Sequence, residues 1–128
     1  MLTPVRGTLV NELRARRGGD FVLRVDTDTL APEILPQDYL GFAHPSVLTP
    51  RSGDCVVASG PDGALGLRIY EDLAGEAALM PLAMGSTDDI LYGEDAVEGV
   101  AVWLHRITPT AHDEPLRISA ALSAGLHA

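Results

Sequence analysis

The chain has 128 residues, 46% of them hydrophobic but only 5% aromatic, and a formal net charge of -9. That length suits one domain with a core of Val, Leu, Ala and Ile. The acidity argues against a non-specific nucleic-acid surface, which needs clustered Lys and Arg.

The N-terminal stretch lacks the apolar core of a signal peptide, and no apolar run approaches the ~20 residues of a membrane span. A soluble cytoplasmic protein is the expectation. Thr8 to Arg17 reads as a short helix with Thr8 as N-cap, an apolar stripe of Leu9, Val10 and Leu13, and arginines at its C-terminal end. Arg14, Arg16 and Arg17 form the densest basic patch and read as a solvated helix end. Gly18 and Gly19 stop the helix. Asp20 to Val25 alternates as a strand with a buried face.

Asp26 to Thr29 is too polar for regular structure, and Pro32 and Pro36 leave room between them for one helical turn. Strands follow at Asp38 to His44 and Asp54 to Ser59. The latter is joined through the turn Gly60-Pro61-Asp62-Gly63 to a returning strand, Ala64 to Tyr70. Glu76 to Pro81 and Asp89 to Tyr92 are weaker strand candidates. Ala96 to Ile107 reads as a long strand in which Gly99 marks a bulge or a close backbone approach. Thr108 to His112 is a linker, and Asp113 to Leu126 reads as a terminal helix. The pattern divides into an N-terminal helical segment (1–18), a mainly β, antiparallel domain (19–107), and a linker with a C-terminal helix (108–128).

Cys55 is the only cysteine, which excludes an intramolecular disulfide and a cysteine-rich zinc site. Within an apolar strand it reads as a small buried hydrophobe. No spacing supports a metal site, and no cofactor is implied. His44 and His105 read as strand-end residues.

Several segments, in order, resemble the LexA/UmuD-like peptidase domain of the superfamily that also holds the type I signal peptidases. Asp28-Thr29-Leu30 stands where that family has Asp-Ser-Met, and Pro36-Gln37-Asp38 where it has Pro-Gly-Asp. Gly53-Asp54-Cys55-Val56-Val57-Ala58 is similar to its Gly-Asp-Val-Val-Val-Ala strand. Leu67-Arg68-Ile69 falls on the strand that bears its general-base lysine, and Val97-Glu98-Gly99-Val100-Ala101-Val102 on its Ile-Glu-Gly-Leu-Ala-Val strand.

The resemblance implies a LexA/signal-peptidase-like antiparallel β fold with Thr29 as nucleophile and Arg68 in place of the base. In that family a desolvated lysine takes the serine proton. Arginine stays protonated and cannot accept one. All nine basic residues here are arginine, so no lysine can substitute from elsewhere in the sequence. Arg68 is instead expected to fork onto Asp26 or Asp28 and hold the old site in order.

The implied function is a catalytically inactive module for protein binding or dimerisation, in transcriptional regulation or a DNA-damage or stress response. It would be a homodimer through the 97–107 strand, with Val100, Val102, Trp103 and Leu104 in contact, and would bind neither nucleic acid nor membrane. The alternative is an atypical serine/threonine-type peptidase in which Thr29 works with a non-lysine base, His44 and His105 being the candidates.

Overall fold

Residues 2–26, 34–82 and 90–106 are described by a computed structural model. They form β1 (Leu2–Pro4), α1 (Thr8–Arg17), β2 (Phe21–Val25), β3 (Tyr39–Ala43), β4 (Cys55–Ser59), β5 (Leu65–Leu73), β6 (Glu76–Pro81), β7 (Leu91–Tyr92) and β8 (Val97–His105). The fold is mainly β. One sheet runs in the order β1-β2-β3-β8-β4-β5-β6-β7, every neighbouring pair antiparallel. It curls into a half-barrel. Register shifts at Gly41/Phe42 and at Val57/Ala58, on the two strands flanking β8, bend it there.

Period-two alternation sends side chains to both faces, and both are buried. One face carries Leu23, Val25, Leu40, Phe42, Val57 and Leu104, closed by Ile34. The other holds two separate clusters. Val56, Tyr70, Leu79, Val97 and Val100 pack together toward the β7 end. Val10 and Leu13 of α1 pack on Val22 and Trp103 toward the other end. Each such fully buried side chain contributes roughly 1.5–3 kcal/mol of apolar burial.

The N-cap of α1 is Gly7, not Thr8, and no side chain caps it. At the far end Gly18 adopts φ 84° and its N–H returns to the Arg14 carbonyl at 2.8 Å. The basic last turn is less solvated than its composition implies. Arg17 Nη1 donates to the Leu104 carbonyl at 3.0 Å, and its guanidinium sits 5.9 Å from the Trp103 ring centroid. Trp103 Nε1–H in turn donates to the Gly18 carbonyl at 3.0 Å. These bonds fix the end of α1 to β8.

Three features differ from the sequence reading. The segment 1–18 is not only helical: Leu2–Pro4 forms the edge strand β1 on β2, so it belongs to the sheet. Pro4 is tolerated there because an edge strand can spare one N–H. β5 extends past Tyr70 to Leu73 and turns into β6 through Ala74 and Gly75, both at positive φ (55° and 90°). This is a two-residue mirror-image turn, and alanine in the place usually held by Asn or Gly disguised it.

β8, the third, lies in the middle of the sheet between β3 and β4. Residues 100–105 of it pair with β3 and residues 97–100 with β4, and Val100, Trp103 and Leu104 are buried within the chain. Of the expected contact set, Val102, 38% exposed, is the one member that faces outward. The expected helix over 113–126 and the linker before it lie outside the described residues.

Candidate functional site

The segment before β3 enters the sheet through a tight turn. Asp38 N–H donates to the Leu35 carbonyl at 3.1 Å, while Gln37 N–H and the Asp38 carbonyl both bond Val25 at 2.8 Å. Pro36 is the second residue of this turn and Gln37 the third, with Gln37 at φ 76°. That is the type II pattern, whose third position favours glycine. The resemblance puts the family's glycine at the same place.

A non-glycine residue in the left-handed region costs roughly 1–2 kcal/mol. Gln37→Gly is therefore expected to stabilise the fold by about 0.5–1 kcal/mol, after the added freedom of the unfolded chain is subtracted. Urea unfolding would read this as a higher midpoint at unchanged slope.

Asp38 is the buried acid of this turn, 1% exposed. Its Oδ2 accepts the Leu35 N–H at 2.8 Å, and Arg106 grips both oxygens, Nε to Oδ1 at 2.9 Å and Nη2 to Oδ2 at 2.8 Å. This bidentate geometry is the strong form of a charge-assisted pair. The hydrogen bond to Asp38 raises the Arg106 pKa above its ordinary value, with burial opposing. Sequence reasoning did not single out Arg106. Its signal was a cation two residues beyond Leu104, in phase with the face that β3 turns toward the same core.

Thr29 and Asp28 lie outside the described residues. Arg68 lies on β5, opposite Val56 of β4 and Pro81 of β6. Its Nη1 donates to the Leu67 carbonyl at 2.9 Å, and its guanidinium lies over Gly66, where a Cβ would come within 2.6 Å of Nη1. The expected fork onto Asp26 is not what holds either residue. Asp26 follows the last residue of β2. Its carboxylate takes Arg24 Nε at 2.9 Å and the Thr3 hydroxyl, tying β1 to β2. The Arg24 bond, then the Thr3 bond, holds the Asp26 pKa below the ordinary value.

His44 is exposed and tilts against the Phe21 ring at 5.3 Å, its backbone N–H donating to Asp20 Oδ2 at 2.8 Å. His105 is half-buried at the end of β8, paired in register with Tyr39. Among the described residues no group of three or more His, Cys, Asp or Glu side chains is placed to hold a metal ion.

Cys55, the first residue of β4, is buried in the half-barrel core, and burial, aided by the nearby Asp54 charge, pushes its thiol up to about 12. The unfolded thiol ionises near 9, so between those values the unfolded chain binds fewer protons and stability falls as pH rises. From pH 9 to 11 this amounts to about 2–3 kcal/mol. Tyr70, raised by burial and by its hydrogen bond to Glu94, acts in the same direction. Unfolding curves for Cys55→Val are expected to lose the cysteine share of the alkaline slope and keep the tyrosine share. At pH 8 the native thiol should not react with Ellman's reagent until the chain unfolds.

No protein-family model matches the chain, and no curated protein matches it either.

Proposed function

We propose that the chain is a LexA/UmuD-like domain that has lost Ser–Lys chemistry and serves in the cytoplasm as a protein-binding or dimerisation module, in transcriptional regulation or a stress response. What carries this reading is Arg68, which the resemblance puts at the position of the base, in a sequence without a single lysine. A guanidinium cannot accept the nucleophile's proton at any pH the fold survives. The reading is also supported by the turn at Leu35–Asp38, whose left-handed third residue falls where the family has glycine. If two copies associate through β8, the contact uses side chains on its outward face around Val102, because Val100, Trp103 and Leu104 are buried within the chain.

A fluorophosphonate probe for activated serine and threonine tests the loss of chemistry. Wild type and Thr29→Ala are both expected to remain unlabelled in intact-mass spectra. An adduct at Thr29 that vanishes in Thr29→Ala would replace this reading with the atypical peptidase. Sedimentation equilibrium tests association: a dimer at tens of micromolar, roughly the range of modest interfaces, should weaken at least tenfold in Val102→Asp.

A further inference from the structure

Charge is divided unevenly along the chain. Up to Val25 there are five arginines against two acids, while the rest has four arginines against sixteen acids. The basic part contains an open groove of about 350 Å³ between the first turns of α1 and β2. Buried or half-buried Val5, Val10 and Val22 give it an apolar lining, and exposed Arg6, Asn11 and Arg14 stand around it. We propose that this groove docks an acidic segment of a partner protein, with one apolar side chain seated on the valines and flanking carboxylates paired with Arg6 and Arg14.

The chemistry fits such a partner in three respects. A guanidinium takes a carboxylate through two parallel hydrogen bonds, and two of them bracketing an apolar floor select an acidic sequence with a hydrophobic residue inside it. The Asn11 amide can both donate to and accept from an extended backbone. Two arginines make too short a track for a phosphate backbone, where affinity grows with the number of phosphates neutralised.

The groove is also held in shape before anything binds. Leu13 packs on Trp103, and Arg17 and Gly18 bond across to β8, so α1 does not have to be ordered by its partner. The site lies on the sheet face opposite the Ile34 core and does not depend on the state of Thr29.

The test is a heteronuclear NMR titration of the full chain with the synthetic peptide Glu-Glu-Leu-Glu-Leu-Glu. Saturable shifts are expected at the amides of Val5, Val10, Asn11, Arg14 and Val22, with Kd below about 1 mM. The exposed double variant Arg6→Glu/Arg14→Glu should weaken binding at least tenfold while leaving the Trp103 indole resonance in place. Substituting lysine for glutamate in the peptide should abolish binding, and serine for leucine should weaken it at least tenfold. Shifts scattered away from the groove, or indifference to the double variant, would overturn the proposal. So would binding of a twelve-nucleotide thymidine strand with the same arginine dependence when the peptide does not bind.

Discussion

Gly41→Ala is expected to destabilise the fold by more than about 4 kcal/mol, at the extreme end for a single added methyl. Gly41 of β3 stands opposite Trp103 of β8, and a Cβ there would lie 2.0 Å from an indole carbon. Neither partner can yield cheaply. β3 is paired on both sides, and moving the indole breaks its bond to the Gly18 carbonyl and unseats Leu13 of α1. The cost therefore combines overpacking of roughly 1–3 kcal/mol with a lost hydrogen bond of about 1 kcal/mol and the loosened helix. Urea unfolding followed by circular dichroism measures it. Combining Gly41→Ala with Trp103→Leu should be less damaging than the sum of the two single changes by at least about 1 kcal/mol, the mark of a shared contact. Strict additivity, or a single-variant cost below about 1 kcal/mol, would refute this packing.

Asp38→Ala is the second large effect, expected at about 3–4 kcal/mol. The change leaves the Arg106 guanidinium, its side chain 20% exposed, without its bidentate carboxylate, and leaves the Leu35 N–H without its acceptor. The lower part of the usual range for a broken buried pair applies because water can still reach Arg106. Asp38→Asn should cost less, since the amide oxygen can still accept the Leu35 N–H. The double variant Asp38→Leu/Arg106→Met should recover much of the loss by removing both charges. If the double variant proved no better than Asp38→Ala, the damage would come from the turn and not from the lost carboxylate of Arg106.

Strand existence was readable wherever the alternation was long, as in Phe21–Val25, Cys55–Ser59 and Val97–His105. Their order in the sheet was not, because alternation says which face is buried and nothing about the neighbour. The edge strand Leu2–Pro4 was hidden by its proline and its three-residue length. Gly99 did mark a close approach, since a Cβ there would meet Phe21 at 2.6 Å, whereas the tighter Gly41 passed unnoticed inside an ordinary strand. Both reflect a partner far away in sequence, and local pattern carries no trace of it. At the candidate site, the chemical nature of Arg68 was legible from one letter, but its position in the sheet needed the strand order. The Asp38–Arg106 pair spans 68 residues, and only the fold brings its two halves together.

The central place of β8 also bears on how the molecule is assembled. It is the last of the described strands to leave the ribosome, yet it joins β3 to β4, with Tyr39 waiting for His105 and Val56 for Val100. Until it arrives, the β1–β3 and β4–β7 portions each present an open edge at the very position where β8 belongs, and such edges recruit other chains. Closure rests on contacts of large sequence separation, which makes folding slow and concentrates it in one late step. A nascent chain halted near Ala96 would hold seven of the eight described strands and still lack the one that makes them a single sheet. A chain stalled there is expected to aggregate more readily than the full-length chain.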